Sequence, residues 1–262
     1  MKRPRSAVDE RRKEILKRLQ KNDEIRVEDL AEEFGLSLMT VRRDLQYLES
    51  RQLITRFYGG ATARITSRPL TEEEELNMYR QRIAQFATRF VSSGDTLFVN
   101  GSSVALDALK YVQASNVRVL TNNGRAIDAK FPPGVNVTLT GGELRGHIMV
   151  GDYVMRNLLN TSANKTFIGC AAITGKGEFF YNVPMEIGIN EAMISRTSQG
   201  LYILADHTKV QNEPSLEHRY GSCTYEGQWT LITDEKADPA VVEELRKSGK
   251  QVYVVGIDDL IT

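Results

Sequence analysis

The chain has 262 residues, of which 41% are hydrophobic, and it carries equal numbers of acidic and basic side chains, 34 of each. This length exceeds one small domain, and the composition is that of a globular protein rather than a disordered one. No run approaches the ~20 apolar residues that span a bilayer, and no apolar core of a signal peptide follows the charged N-terminus. Cys170 and Cys223 are too few and too far apart for a disulfide framework or a metal site. We therefore expect a reduced, cytoplasmic protein without metal or cofactor.

The charge is unevenly distributed along the chain. Residues 1–68 hold 16 Lys and Arg against 11 Asp and Glu, whereas the remainder holds 18 against 23. A basic segment joined to an acidic body concentrates the attraction for phosphate at the N-terminal end. The distribution therefore predicts that residues 1–68 contact nucleic acid, although the net charge is zero.

Two amphipathic helices and a tight turn are predicted near the N-terminus. The helices cover residues 11–20 and 27–34, and Gly35 follows the second at the turn. Their apolar residues recur at helical spacing: Ile15, Leu16 and Leu19 in the first helix, and Val27, Leu30, Ala31 and Phe34 in the second. These residues should form one side of a small helical core.

Residues 37–48, SLMTVRRDLQYL, are predicted to form the recognition helix of a helix-turn-helix. Ser37 suits the N-cap because its hydroxyl can accept a hydrogen bond from an unpaired amide of the first turn. Three apolar residues should be buried, Val41, Leu45 and Leu48. Thr40, Arg42 and Arg43 stand at the end of such a helix that meets base edges and phosphates in the major groove. Adjacent arginines are also often no more than a solvated helix face.

The segment after this helix, QLITRFYGGAT, predicts a wing. It reads as two short strands about a Gly59–Gly60 turn, with Arg56 and Tyr58 near the tip. Three helices followed by a β-hairpin make a winged helix-turn-helix. Because the helix, the glycine turn, the capped helix and the wing occur together, DNA reading is the leading interpretation.

The domain boundary is predicted within ATARITSRPLTEEEE. Its polar and proline content, followed by four glutamates, suits a linker and the acidic first turn of a new helix. We expect a DNA-binding domain over residues 1–63, a linker over residues 64–70 and a second domain over residues 71–262. Thr71 should cap a helix that runs to about Ser92.

From Gly94 onward, apolar runs alternate with amphipathic helical segments, which predicts an α/β domain with a parallel sheet and helices on both faces. The runs that read as strands are residues 96–99, 117–120, 135–139, 165–169, 201–205, 229–233 and 251–255. The helical segments between them are residues 104–112, 153–159, 186–194 and 239–248.

Polar and glycine residues follow four of these strands, at the sheet edge where parallel sheets bind ligands. They are Asn100, Gly101, Ser102, Ser103, Thr121, Asn122, Gly141, Gly142, Arg145, Asp206 and Lys209. Four such loops on one rim predict a pocket for a phosphorylated polyol. The alternative is turn and capping chemistry, with a local ion pair between Asp206 and Lys209. Of the three histidines, His147, His207 and His218, only His207 draws attention as a pocket-loop residue.

The chain resembles a known family over nearly its whole length. RRKEILKRL, VEDLAEEFGLS, TVRRDLQYLE and LITRFYGGA follow the order and spacing of the N-terminal domain of DeoR-type bacterial transcription regulators. GDTLFVN, LTN, TGGELR, TFIG, LADHTK and LITD continue the match. The resemblance implies a sensor domain similar to ribose-phosphate isomerases that binds phosphorylated sugars or sugar-derived intermediates. It also places Glu186 where the family usually has an acidic residue opening a helix.

The chain departs from the family pattern in one loop and at one further position. The loop after the first strand reads Asn100-Gly-Ser-Ser-Val where the family usually has Asp-Ser-Gly-Thr-Thr, and Asn164 stands where the family usually has Asp. Phosphate contacts by Ser102, Ser103 and backbone amides survive this change. The identity of the sugar is left open, because an amide accepts hydroxyl groups only through its oxygen.

We therefore expect a repressor of a sugar or carbohydrate catabolic operon that binds double-stranded DNA and responds to a phosphorylated sugar. Ser102, Ser103, Arg145 and Lys209 are expected to hold the anionic group. The residues expected to meet hydroxyl groups are Asn100, Thr121, Asn122, Glu186 and Asp206. Paired half-sites imply a homo-oligomer, a dimer or a tetramer. The alternative is a sugar-phosphate isomerase-like enzyme with an appended DNA-binding domain, in which Glu186 or Asp206 would be the general base.

Overall fold

The computed structural model describes residues 5–21, 24–50, 53–63, 71–214 and 222–257. The chain divides between Glu72 and Glu73 into two compact units. The predicted linker, residues 64–70, and His218 lie outside the described residues.

Within its described residues the N-terminal unit has three helices and a three-stranded antiparallel sheet in the order β1–β3–β2. Its elements are α1 (Arg5–Lys21), β1 (Ile25–Arg26), α2 (Val27–Glu33), α3 (Leu38–Ser50), β2 (Ile54–Phe57) and β3 (Gly60–Ala63). The winged-helix prediction is confirmed. Strand β1 was not predicted, because two residues are too few to show an alternating pattern.

The helices contribute to the core of this unit the residues that helical spacing selects, and the strands add Ile25, Ile54 and Ala61. Six of the helical residues have no exposed surface: Ile15, Leu19, Leu30, Val41, Leu45 and Leu48. Phe34, also predicted to face inward, is only half-buried because α2 ends at Glu33. Gly35 follows with a φ of 60°, a backbone conformation that favours glycine at this turn.

The C-terminal unit is an α/β domain. Its elements are α4 (Glu72–Ala87), β4 (Thr96–Val99), α5 (Ser103–Ala108), β5 (Val117–Thr121), β6 (Val135–Leu139), β7 (Glu143–Arg145), β8 (Ile148–Val150), α6 (Asp152–Leu159), β9 (Ala163–Ile168), β10 (Ala172–Ile173), β11 (Glu178–Phe180), α7 (Met185–Ser195), β12 (Thr197–Leu204), β13 (Ser222–Thr224), β14 (Thr230–Asp234), α8 (Pro239–Lys247) and β15 (Gln251–Val255). Helix α4 is shorter than predicted, since a 3₁₀ turn over Thr88–Phe90 replaces its last turn.

Seven strands form one parallel sheet in the order β15–β14–β12–β9–β4–β5–β6. All seven predicted strands are therefore confirmed. The chain builds the sheet outward from β4 on one side and then crosses to β9 on the other. This reversal opens a crevice between the loops that follow β4 and β9, the position at which open parallel sheets bind ligands.

Helices cover both faces of the sheet. Along β4, Leu97 and Val99 pack with Ile83 of α4 in one cluster, whereas Phe98 packs with Leu158 of α6 in another. Successive side chains of a strand point to opposite faces, so a continuous apolar run requires cover on both. Short antiparallel pieces, β7–β8 and β10–β11–β13, were not predicted. None of the helices in the described part of the chain is long and apolar enough to cross a membrane.

Candidate functional site

Ser37 caps α3, the helix predicted to read DNA. Its Oγ accepts a hydrogen bond from the Thr40 amide at 3.2 Å and lies 2.9 Å from the Thr40 hydroxyl oxygen. Arg42 and Arg43 are exposed, and neither guanidinium has an ion-pair partner within the part of the chain that the structure describes. Two adjacent cations are thus available to an external anion at the N-terminal half of α3.

A buried ion-pair network that the sequence did not predict holds α1 against α3. Asp44 is 2% exposed, and its two carboxylate oxygens lie 2.6 Å from Arg11 Nη2 and 2.9 Å from Arg12 Nε. The Arg12 guanidinium also lies 3.7 Å from the centre of the Tyr47 ring. Arg11 and Arg12 are therefore structural, which separates them from the exposed pair on α3.

The wing is a tight hairpin with an exposed aromatic tip. Phe57 pairs with Gly60, so the turn is Tyr58–Gly59 rather than the predicted Gly59–Gly60, and the Tyr58 side chain is fully exposed. A Cβ at Gly60 would collide with the Phe57 ring and the Ile25 carbonyl, which explains the second glycine. Arg56 Nη1 lies 3.5 Å from Glu49 Oε2, so its contact within the protein is to the end of α3.

A cleft of about 550 Å³ opens at the crevice between the loops after β4 and β9. Six of the twelve residues predicted to bind an effector line it: Gly101, Ser102, Ser103, Arg145, Glu186 and Lys209. The other six do not line it: Asn100, Thr121, Asn122, Gly141, Gly142 and Asp206. Arg125, His147, Cys170, Tyr181 and Thr208 also line it and were not predicted.

Three cationic side chains face this cleft. Arg145 is exposed, and its Nη2 lies 2.7 Å from Glu143 Oε1. The Arg145 guanidinium is therefore already paired with a carboxylate of the protein. Arg125 has no ion-pair partner among the residues described. Lys209 Nζ lies 3.9 Å from Asp206 Oδ2. Arg125 and Lys209 are the cations with least competition for a bound anion.

The loop after β4 enters α5 through a serine cap. Ser102 Oγ accepts from the Ala105 amide at 3.3 Å, so the capping role considered for Ser102 is present. A Cβ at Gly169 would collide with this hydroxyl, which explains why glycine follows β9. Ser103 is half-buried at the cleft wall.

Asn100 cross-links the loops after β4 and β9. It is 2% exposed; its Nδ2 donates to the Gly169 carbonyl at 3.0 Å and to Asn190 Oδ1 at 3.1 Å. Its Oδ1 accepts from the amides of Ser102 and Gly169, each at 3.1 Å. The amide uses both its donor and its acceptor within the protein. The geometry supports a role for Asn100 in positioning the two loops that flank the crevice.

We expect Asn100→Asp, which restores the usual family residue, to lower the free energy of unfolding by about 1–3 kcal/mol, because a carboxylate cannot donate to the Gly169 and Asn190 oxygens. Asn164→Asp is the matched control, since Asn164 Oδ1 accepts from the Thr96 amide and a carboxylate can do the same. Chemical denaturation of both variants measures the difference. Equal stability of the two would contradict the role assigned to the Asn100 donor.

Asp206 lies behind the cleft wall rather than on it. It has no exposed surface, and its carboxylate accepts from Arg80 Nε of α4 at 2.8 Å and from the Thr208 amide and hydroxyl. Burial alone would raise the pKa of Asp206, but Lys209, Thr208 and Arg80 hold it below the usual range. Asp206 thus orients Lys209 and remains ionised.

Residues at the carboxyl ends of β5 and β6 support the β7–β8 hairpin, which contributes residues to the cleft wall. Asn122 Nδ2 donates to the Met149 carbonyl at 3.2 Å, and Thr121 Oγ1 accepts from the Asn123 amide at 3.0 Å. Gly142 has a φ of 107°, and a Cβ there would collide with the Val150 carbonyl. These residues are placed to aim the hairpin, which carries Arg145 and His147, rather than to touch a ligand.

Four titratable groups that line the cleft have shifted pKa values: His147, Cys170, Tyr181 and Glu186. Burial raises the pKa of Glu186 to about 7, partly offset by a hydrogen bond with the Val183 backbone. Burial and the nearby Arg125 lower the pKa of His147. His207, the histidine singled out from the sequence, instead lies away from the cleft wall with Nδ1 2.9 Å from Asp234 Oδ1. Burial also raises the pKa of the Cys170 thiol to about 12, which makes it unreactive.

The raised pKa of Glu186 predicts a pH dependence of stability. A carboxyl whose pKa is raised on folding stabilises the folded state below its unfolded pKa of about 4.5, and this contribution is lost as the pH rises through about 7. Glutamine does not titrate, so Glu186→Gln should not lose this contribution. As the pH rises from 5 to about 7.5, the free energy of unfolding of the variant should therefore increase relative to that of the wild type. Thermal melting across this range tests it, with Glu191→Gln at an exposed position of the same helix as control. If the melting temperatures of the wild type and Glu186→Gln change in parallel with pH, the pKa of Glu186 is not raised.

Family models match both units of the chain. The model described as the DeoR C terminal sensor domain matches residues 77–235, and that of the DeoR-like helix-turn-helix domain matches residues 11–67. The chain is 30% identical over 263 residues to the lactose phosphotransferase system repressor of Streptococcus mutans, covering 94% of this chain and 98% of that one. It is 28% identical over 209 residues to the glycerol-3-phosphate regulon repressor of Escherichia coli, covering 74% and 80% of the two chains.

Among solved structures, ribose 5-phosphate isomerase from Plasmodium falciparum aligns with 52% of this chain and 54% of its own, with a TM-score of 0.37 and 14% identity. A likeness of this size carries no conclusion about function. The family matches span both the winged helix and the sheet that bears the cleft. The chain therefore belongs to the DeoR family of transcription regulators.

Proposed function

We propose that this protein is a cytoplasmic repressor of a carbohydrate catabolic operon that binds operator DNA through α3 and the wing, and that a phosphorylated sugar or sugar-derived metabolite controls it from the cleft. The observation that carries the proposal is the cleft at the sheet crevice, lined by Arg125, Arg145 and Lys209 together with hydroxyl groups. The relatives named as repressors of a lactose phosphotransferase system and of a glycerol-3-phosphate regulon support a carbohydrate effector.

The groups that line the cleft suit different parts of a phosphorylated sugar. Guanidinium and ammonium groups match a phosphate. Arg125 has no ion-pair partner among the described residues, and Lys209 Nζ lies 3.9 Å from Asp206 Oδ2, which holds the ammonium group at the cleft. Glu186, with its pKa near 7, can accept from or donate to a sugar hydroxyl, depending on its protonation. Asn100 and Asp206 act behind this wall by orienting the loop after β4 and the Lys209 side chain.

A thermal-shift screen tests the proposal directly. The panel contains pentose and hexose phosphates, the same sugars without phosphate, and inorganic phosphate. A ligand that binds only the folded protein raises the melting temperature by mass action. We expect one sugar phosphate to raise it and to change DNA affinity, while its parent sugar does neither. If no phosphorylated compound shifts melting or DNA binding, the effector assignment is wrong.

We expect Lys209→Ala to keep the fold and the DNA affinity but to lose the response to the effector. The fold should persist because Asp206 retains Arg80 and Thr208 as partners. DNA binding at increasing effector concentration gives the response, with Lys176→Ala, at an exposed position outside the cleft, as the matched control. A Lys209 variant that unfolds more readily yet still responds would show a structural role instead.

An isomerase-like enzyme is the second candidate, and one observation favours it. Glu186 lies in the cleft with a pKa of about 7, the value that suits a general base at neutral pH. An assay for isomerisation of pentose and hexose phosphates separates the candidates. Turnover by the wild type that is absent in Glu186→Gln would establish the enzyme, whereas ligand binding without turnover supports the regulator.

We also propose that the protein is a homo-oligomer, a dimer or a tetramer. One winged helix contacts one half-site, and specific operator binding by such modules normally pairs two half-sites through symmetry. Light scattering of the full chain measures the mass directly. A monomer that binds a single half-site with full affinity would refute this part of the proposal.

A further inference from the structure

Helix α3 has one face buried and the opposite face open. At about 100° per residue, the buried side chains of Val41, Asp44, Leu45 and Leu48 lie on one side of the helix axis. Met39 points to the opposite side, and its side chain is 63% exposed. A long apolar side chain therefore stands at the centre of the open face, without cover from the described part of the chain.

The neighbours of Met39 on this face are polar. Residues three, four and seven positions along a helix share its face, which places Arg42, Arg43 and Gln46 beside and beyond Met39. All three are exposed. We call Met39, Arg42, Arg43 and Gln46 the reading stripe. It offers one apolar contact, two cations and one amide to the same partner.

The major groove of DNA fits this combination of groups. It presents acceptors on guanine to arginine and both a donor and an acceptor on adenine to glutamine, and its one apolar group is the C5-methyl of thymine. Single exposed apolar residues are common and need no explanation by themselves. Met39 differs because it lies within the stripe, next to the cations that the proposed function assigns to DNA.

We propose that Met39 contacts the C5-methyl group of a thymine and thereby selects a T·A pair in the operator. This inference rests on the proposed function, in which α3 reads DNA. Methionine suits the contact because its unbranched, flexible side chain adapts to an apolar surface. Leu38 is also exposed, at 42%, but lies about 100° around the helix from Met39, at the margin of the stripe.

The test uses the full chain and a duplex that the protein itself selects from a random DNA pool. Each thymine of the selected site is replaced in turn by deoxyuridine, which removes only the methyl group. We expect one T·A position per half-site at which the replacement weakens binding about three- to fivefold, the size expected for loss of one buried methyl contact. In Met39→Gln this sensitivity should disappear, while Leu38→Gln should retain it.

The outcomes distinguish a failure of the thymine contact from a failure of DNA reading by α3. If no thymine is sensitive, or if Met39→Gln keeps the full sensitivity, Met39 does not read a methyl group. A sensitivity that arises from DNA shape would persist in Met39→Gln and so counts against the inference. If the pool yields no enriched sequence, the proposal that α3 reads DNA is refuted. The thymine contact of Met39, which depends on it, is then refuted as well.

Discussion

Replacing Arg42 and Arg43 together with alanine is expected to weaken sequence-specific DNA binding by about 100-fold or more, because a base-edge contact from Arg43 contributes about 1–3 kcal/mol, the loss of a phosphate contact from Arg42 weakens binding further, and every 1.4 kcal/mol is tenfold. The fold should be unaffected, since both side chains are exposed and have no ion-pair partner in the described ranges. Fluorescence anisotropy with a selected duplex measures the affinity, and the melting temperature reports the fold.

The two single variants should change different properties of DNA binding. Arg43→Ala should relax base preference, if Arg43 reads a guanine edge as we expect. Arg42→Ala should reduce the slope of log affinity against log salt by about 1, the change for one lost phosphate contact. Arg18→Ala is the matched control: Arg18 is exposed on α1 and paired with Glu33, away from the reading stripe. Unchanged affinity in the double variant would refute the assignment of α3.

Asp44→Ala is expected to destabilise the N-terminal unit by about 2–4 kcal/mol. The substitution leaves two nearly buried guanidinium groups, those of Arg11 and Arg12, without their shared counter-charge. Removing one partner of a buried ion pair costs about 3–5 kcal/mol, and the slight exposure of both arginines reduces this figure. A winged helix of this size has little stability to lose, so DNA binding should fall as well.

The two units allow this effect to be localised. Trp229, the one tryptophan of the chain, lies in the C-terminal unit and reports its unfolding by fluorescence. We expect this transition to be unchanged in Asp44→Ala, while amide hydrogen exchange in α3 becomes faster. Glu32→Ala, which removes an exposed carboxylate from α2, is the control. Normal exchange in the Asp44 variant would show that the network contributes little.

The sequence determined the helices, the seven long strands and the fold class, but not the short antiparallel strands. The helical period of Val41, Leu45 and Leu48 is a local property, and so are the apolar runs that became seven parallel strands. Continuous apolar strands between helices leave few arrangements other than a covered parallel sheet. The edge of the sheet that bears the cleft followed from the same argument, because parallel strands share one carboxyl end.

Only the tertiary structure decided which polar side chains face the cleft. Asn100 binds Gly169 and Asp206 binds Arg80, residues 69 and 126 positions away in the chain. The β7–β8 hairpin brings His147 to the wall in a similar way, from beyond the end of β6. A polar residue after a strand can satisfy its hydrogen bonds inside the protein or leave them for a ligand. Which of these occurs depends on partners that are distant in sequence, so local pattern cannot reveal it.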